Sequence, residues 1–153
     1  MEEARQATAA DLDPCRALLA DALAGAAHLR GGRALVGPAT TTSLMERWTV
    51  DPGQAALFVG EFHGVVVGLG AVVASGGPGE ERGAGRIECC YVEPDARGVG
   101  VGSALMAAMV EWCARRECAA VDALALPGDR GTKQRLEAAG FTARLIVLSR
   151  PLD

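Results

Sequence analysis

Apolar positions in this chain switch between two spacings, and the switches mark its elements. Glu3 to Thr8 reads as a short first strand. From there Leu12, Cys15, Leu18, Leu19, Ala22 and Leu23 recur at helical spacing, with Asp11 placed to cap and Pro14 tolerated in a first turn. Gly25 and the pair Gly31-Gly32 loosen and end that helix. A second helix is expected over Thr41 to Trp48, capped from the run Thr40 to Ser43 and closed by the turn Asp51-Pro52-Gly53. Ala55 to Glu61 and Val65 to Ala74 are strand-like, joined by a tight hairpin turn at His63-Gly64. The second of these strands is apolar on both faces, as a central strand is, and its glycines suggest a bend or bulge. Ser75 to Gly85 carries five glycines and Pro78, the composition of a mobile connection.

Ile87 to Val92 is the next strand, ended by Glu93-Pro94-Asp95-Ala96. A helix then runs to about Arg116, with Leu105, Met109 and Trp112 on one face. Ala119 to Leu126 is a short strand broken by Pro127-Gly128. A last helix starts at Asp129 or Thr132 and ends at Ala139-Gly140, where Gly140 suits a left-handed cap. Phe141 to Arg150 is expected to close the sheet. This order predicts one α/β domain over residues 1–153, a mixed β-sheet flanked by helices.

Composition narrows the function classes. Half of the 153 residues are apolar but only 4% are aromatic, so Ala, Val and Leu must fill the core. A net charge of −4 argues against nucleic acid as the main partner, which would need a basic patch. No apolar run approaches the roughly 18 residues of a membrane helix. The acidic start, Met1-Glu2-Glu3-Ala4-Arg5, lacks the shape of a signal peptide, so the expectation is a soluble cytoplasmic protein. Cys15, Cys89, Cys90, Cys113 and Cys118 form no C-x-x-C pair, and with only His28 and His63 beside them no metal site is expected. Buried free thiols are the simplest reading. Cys89 and Cys90 should face opposite ways on their strand.

The stretch Arg97-Gly98-Val99-Gly100-Val101-Gly102-Ser103 carries the candidate chemistry. Three glycines at alternate positions bare the backbone N–H groups where a helix begins, beside the positive end of its macrodipole, an arrangement that holds phosphate. A nucleotide P-loop would need a lysine, and none is near. A dinucleotide fingerprint nearly fits, with Ser103 at the third glycine position and Asp122 near the expected acid. But about 90 residues precede the turn and about 50 follow, too few for the remaining strands of that fold. A turn with no ligand is the remaining alternative, disfavoured because each glycine costs about 1 kcal/mol if truly helical.

Arg97-x-x-Gly100-x-Gly102 matches the [Gln/Arg]-x-x-Gly-x-[Gly/Ala] motif of the GNAT superfamily of N-acetyltransferases. Tyr91-Val92-x-Pro94 resembles that family's fourth strand and exit turn, and Gly140-Phe141 its C-terminal signature. The opening Arg5 to Leu12 resembles its first strand and helix, so the resemblance spans nearly the whole chain. It implies acetyl-CoA as cosubstrate, with pyrophosphate on the N–H groups of Gly98, Val99, Gly100, Val101, Gly102 and Ser103. Arg97 would touch phosphate or shape the turn. It also implies a bulge that splays the fourth strand from the fifth. Pantetheine would run along the open edge on backbone groups of Cys90 and Val92.

The same resemblance places Glu88 as the base that takes a proton from an attacking primary amine, its burial raising its pKa. The competing reading is an ion pair with Arg86 or Arg144. The N–H of Val92 would receive the oxyanion. The family's usual tyrosine acid is replaced by Leu136, and the nearby asparagine by Asp129, which would still reach pantetheine. Tyr91, Met45 and Trp48 read first as packing residues, and His28 as a helix-end residue before a substrate contact. The resulting expectation is an N-acetyltransferase acting by direct attack on a small-molecule or peptide amine. The alternative is a non-catalytic acyl-CoA-binding module, which Leu136 favours and Glu88 disfavours. The apolar run Leu145-Ile146-Val147-Leu148 is the basis for expecting a homodimer by strand addition.

Overall fold

The computed structural model describes residues 1–29, 31–32, 39–76 and 83–152. Its elements are β1 (Glu2–Gln6), α1 (Leu12–Ala27), α2 (Thr41–Thr49), β2 (Ala55–Phe62), β3 (Val65–Ala74), β4 (Ala84–Val92), α3 (Val101–Arg115), β5 (Ala120–Ala123) and α4 (Arg130–Ala138). Short 3-10 turns, Ala9–Asp11 and Pro94–Ala96, lead into α1 and toward α3. The strands lie side by side in the order β1-β2-β3-β4-β5. All pairs are antiparallel except the parallel pair β4–β5. The mixed sheet with helices on its faces is the α/β architecture that the sequence predicts.

Each face of the sheet has its own core. On one, Val101, Leu105, Met109 and Cys113 of α3 pack on Phe58, Val72, Ile87 and Val92. On the other, Cys15, Leu18 and Leu19 of α1 and Met45 and Trp48 of α2 pack on Val59, Leu69 and Ala71. Complete burial of Leu105 and Met109 stabilises the fold by about 1.5–3 kcal/mol each. The glycines inside β2 and β3 have a packing purpose. A Cβ on Gly60 would lie 2.5 Å from Val101 Cγ1, and one on Gly68 3.0 Å from Leu105 Cδ1, so their absence lets α3 sit close against the sheet. The bulge that the glycines suggested also occurs, between Gly60 and Glu61.

One charged cluster ties the first elements together. The Arg5 guanidinium holds Asp11 with two bonds, at 2.7 and 3.1 Å, and reaches Glu61 on β2 at 2.6 Å. Asp11 Oδ2 also accepts from the Thr8 N–H at 2.7 Å and the Thr8 hydroxyl at 3.0 Å. The Arg5 guanidinium, then the Thr8 N–H, hold the Asp11 carboxyl well below the usual carboxylate range.

Two expectations need correction. The fourth strand begins at Ala84, inside the segment read as a connection. Gly85 belongs to it because the strand passes against α3, where a Cβ would lie 2.3 Å from Cys113 Sγ. Residues 77–82 of that segment lie outside the described residues. The second correction is the C-terminus. Phe141 to Arg150 forms no strand and does not close the sheet. Its apolar residues Leu145, Ile146, Val147 and Leu148 pack against nothing and are 80%, 82%, 81% and 91% exposed. Other boundaries shift by a residue or a few: β5 shortens to four residues, while the hairpin at His63-Gly64 forms as read, with φ of 50° and 78°. Among the described residues no helix is long and apolar enough to cross a membrane.

Candidate active site

The site is organised by an extra residue in β4. Ala71 pairs with Cys89 while the next residue of β3, Val72, pairs with Ile87, so Glu88 is inserted opposite no partner of its own. Such a bulge bends a strand and re-aims its side chains. Ile87 packs on the α3 side, whereas Cys89 and Tyr91 pack on the α1–α2 side and Cys90 returns to the α3 side. Cys89 and Cys90 therefore face opposite ways. On the far edge, β5 pairs only with Ala84 to Ile87, the last pair being Ile87 with Ala123. From Glu88 onward β4 and β5 part, which is the expected splay.

The backbone between Glu88 and the glycine turn has free hydrogen-bonding groups. The Glu93 N–H donates to the Val67 carbonyl at 2.9 Å, which makes these two residues a bonded antiparallel pair. Bonded pairs alternate along such a ladder. In the observed register the next bonded pair is Tyr91 with Leu69. The N–H and C=O groups of Cys90 and Val92 thus point away from β3, into the splay. Arg97 uses one of them: its Nε donates to the Val92 carbonyl at 2.9 Å, and its guanidinium carbon lies 5.6 Å from the centre of the Tyr91 ring. Arg97 folds back onto the end of β4 and shapes the turn.

Gly98 and Gly100 both have left-handed φ, 84° and 96°, which β-branched side chains rarely adopt. Two such residues one apart make a compact loop whose N–H groups converge. Gly100 is also the N-cap of α3, and no side chain caps that helix, so its first N–H groups remain available. Val92, Arg97, Gly98, Gly100, Gly102 and Ser103 line a cavity of about 250 Å³. Val99 is on the same loop and 38% exposed, while Val101 is 1% exposed, so its side chain serves the core and only its backbone faces the turn.

Arg135 is the residue that sequence reasoning missed. It comes from α4, lines the same cavity, and packs so closely that a Cβ on Gly102 would meet its Nε and Nη1 at 3.0 Å. Its Nη1 lies 4.0 Å from Cys90 Sγ. Its only sequence signal was its place one residue before Leu136. Asp129 takes a different place from the one expected. It caps α4, its Oδ1 accepting from the Thr132 N–H at 3.2 Å, and it does not line the cavity.

Glu88 sits on the α1–α2 side with its side chain 17% exposed. Trp48 Nε1 donates to its Oε1 at 3.0 Å, and Arg47 Nε lies 2.9 Å from the same oxygen. Oε2 accepts no hydrogen bond from another described residue. The ion pair is with Arg47, in place of the expected Arg86 or Arg144. Beyond Arg47 a second cavity, of about 420 Å³, is bordered by Arg47, Asp51, Gln54, Arg86 and Asp122. Leu136 is 7% exposed in the α3-side core and offers no proton. Burial pushes the Cys89 thiol up to about 12 and raises that of Cys90 even beside Arg135. His28 and His63 are exposed, and His63 Nδ1 accepts from the Met1 amino group at 3.3 Å. Among the described residues no group of three or more His, Cys, Asp or Glu side chains could hold a metal ion.

Solved structures share this fold along almost the whole chain. A transcriptional regulator from Bacillus halodurans C-125 is 23% identical, with 99% of this chain and 100% of that one covered at a TM-score of 0.75. The aminoglycoside acetyltransferase AAC(6')-Iy, in complex with a bisubstrate analogue of CoA, is 19% identical over 99% of both chains, with a TM-score of 0.72. Glucosamine-6-phosphate N-acetyltransferase from Arabidopsis thaliana is 18% identical, with 100% and 99% covered and a TM-score of 0.70. No curated protein sequence matches. The sequence profile of the acetyltransferase (GNAT) family matches residues 23–141, which contain β4, its bulge, the glycine turn and α3. On that match the chain belongs to the acetyltransferase (GNAT) family.

Proposed function

We propose that this chain is an acetyl-CoA-dependent N-acetyltransferase in which a primary amine attacks the thioester directly and Glu88 takes its proton. One observation carries the reading: a single strand, β4, links an anion cradle at one end to an anchored carboxylate at the other, with unpaired backbone between them. Glu88 to Val92 is five residues, so four steps or roughly 13 Å of strand separate the two. An extended ligand with amides of its own fits such an edge.

Bound there, acetyl-CoA would supply an activated acetyl thioester. The N–H groups from Gly98 to Ser103, with Arg135, hold its phosphates. Cys90 and Val92 offer strand-type bonds, and the Val92 N–H is placed to receive the developing oxyanion. Trp48 and Arg47 fix Oε1 of Glu88, leaving Oε2 to accept the amine proton directly or through water. As the C–N bond forms, the C–S bond breaks and the thiolate leaves. A thiol of ordinary pKa, about 8.5, can leave without an acid, which is consistent with a buried Leu136. The acceptor enters from the α1–α2 side, where Arg47 and Arg86 border the larger cavity.

The second reading, a non-catalytic acyl-CoA-binding module, draws on Leu136. Turnover of a broad panel of primary amines, followed by thiol release, tests the first reading. Thermal shift tests binding alone, since a ligand at 100 times its Kd adds about 2.7 kcal/mol of stability. A shift with acetyl-CoA but no turnover supports the module. A shift with NAD and none with acetyl-CoA refutes both.

A further inference from the structure

Two opposite charges border the larger cavity without a partner. Gly85 and Ile87 turn toward α3: a Cβ on Gly85 would lie 2.3 Å from Cys113 Sγ, and Ile87 is in the α3-side core. Arg86 between them therefore takes the α1–α2 side, as Glu88 does. On β5, Val121 and Ala123 pack on the α3-side core, so Asp122 shares the side of Arg86. The two are register partners on adjacent parallel strands, whose backbones run roughly 4.8 Å apart. Both are exposed at the cavity wall, and neither makes an ion pair or side-chain hydrogen bond with another described residue. The other two charges there are already engaged. Arg47 holds Glu88, and Asp51 Oδ1 accepts from the Gly53 N–H at 2.9 Å.

A free cation beside a free carboxylate selects by charge pattern. A ligand carrying only an anion meets Asp122, and one carrying only cations meets Arg86. A zwitterion, with carboxylate and ammonium on one carbon, satisfies both. Its ammonium keeps its proton to pair with Asp122, whereas the amine that attacks a thioester must lose one. One nitrogen cannot do both, so the acceptor has two. Arg86 and Glu88 lie two residues apart on one face, roughly 7 Å along the strand, the span of a short methylene chain. The cavity, about 420 Å³, is of small-molecule size. We propose that the acceptor is a free diamino acid: Arg86 and Asp122 hold its α-carboxylate and α-ammonium, and its distal amine reaches past Arg47 to Oε2 of Glu88. This rests on Glu88 as the base. A lysine within a peptide, whose head is two neutral amides, lacks both charges.

L-Lysine, L-ornithine and L-2,4-diaminobutyrate are each compared with the diamine and the ω-amino acid of the same chain length, which lack the carboxylate and the α-ammonium respectively. With acetyl-CoA, kcat/KM for the best diamino acid should exceed that of either analogue by at least about tenfold, because each analogue leaves one charge of the site unpaired. NMR of the product should place the acetyl group on the distal nitrogen. Arg86→Gln should erase the preference over the diamine, and Asp122→Asn the preference over the ω-amino acid. Each should raise KM for the diamino acid with little change in KM for acetyl-CoA. An analogue turned over as well as the diamino acid overturns the proposal, as does a product acetylated on the α-nitrogen or a pair of variants that keep both preferences. Turnover of other amines but of no diamino acid overturns it and leaves Glu88 as the base. If no amine reacts, the role of Glu88 fails, and calorimetry with CoA present decides the charged-head site. Binding of a diamino acid that Arg86→Gln weakens about tenfold supports that site, and no binding overturns it.

Discussion

The indole N–H of Trp48 donates to Oε1 of Glu88 at 3.0 Å, joining α2 to the bulge of β4 across 40 residues of sequence. A buried indole donor bonded to a carboxylate fixes one oxygen and orients the other. Without the bulge, Glu88 would be an ordinary strand residue in a ladder. With it, the side chain falls beside Trp48 and Arg47 at the point where β5 leaves β4.

Glu88→Gln should lower kcat/KM by about 10²–10⁴, the usual worth of a general base, while the acetyl-CoA thermal shift stays within error. Glutamine keeps the shape and the Trp48 bond, so a folding defect is not expected. Unchanged turnover would remove Glu88 as the base. Trp48→Phe tests the positioning. It should lower kcat with little change in KM for acetyl-CoA, and cost about 1 kcal/mol of stability for the lost bond.

Arg135→Gln should weaken acetyl-CoA binding about tenfold, since hydrogen bonds to charged groups contribute about 1.5–3 kcal/mol. Calorimetry at two salt concentrations checks it: the variant should show a shallower salt dependence than the parent. Gly102→Ala reaches the same group from the other side, because its new Cβ displaces the guanidinium that now lies 3.0 Å away. Gly100→Val also disrupts the cradle, but a β-branched residue at φ 96° adds strain of about 1–3 kcal/mol, so Gly102 is the cleaner probe.

Most of the fold was legible because its signals are local. The α3 stripe, the His63-Gly64 hairpin and the Gly140 cap each declare themselves within a few residues. Gly85 and the paired glycines Gly60 and Gly68 did not, because a glycine that clears space for Val101, Leu105 or Cys113 looks the same in sequence as one that loosens a loop. In the site, the glycine turn and Glu88 were readable from motif spacing. Arg135 and the Arg47–Trp48 clamp were not, since each reaches β4 from a helix whose rotation only the packed structure fixes. The C-terminal run was read as a strand that closes the sheet, and its apolar pattern alone could not show that residues 141–150 form none.

Asp11 sets an acid limit on stability. Its folded-state carboxyl is held below its usual value of about 3.9, first by the Arg5 guanidinium and then by the Thr8 N–H. A depressed carboxylate contributes fully above its unfolded pKa and loses that contribution as pH falls through the folded one. Asp11→Ala should therefore cost about 1 kcal/mol at pH 7, for the lost bonds from the Thr8 N–H and from the partly exposed Arg5 guanidinium. Urea midpoints of parent and variant should converge as pH drops below about 4. A difference that is constant from pH 7 to pH 2.5 would show that the charge on Asp11 is immaterial.

Leu136→Tyr is the substitution that the missing general acid invites, and it should fail to help. Leu136 is 7% exposed among Val92, Met106 and their neighbours, so a phenol there has to displace packed atoms before it can face the slot. Overpacking of this kind costs about 1–3 kcal/mol. The expected result is a lower melting temperature and a kcat no higher than that of the parent. The leaving thiolate needs no proton donor in this reading, so pH–rate profiles of parent and variant should share their alkaline limb. A variant with raised kcat and a new alkaline fall-off would show that the slot lacks an acid that the reaction can use.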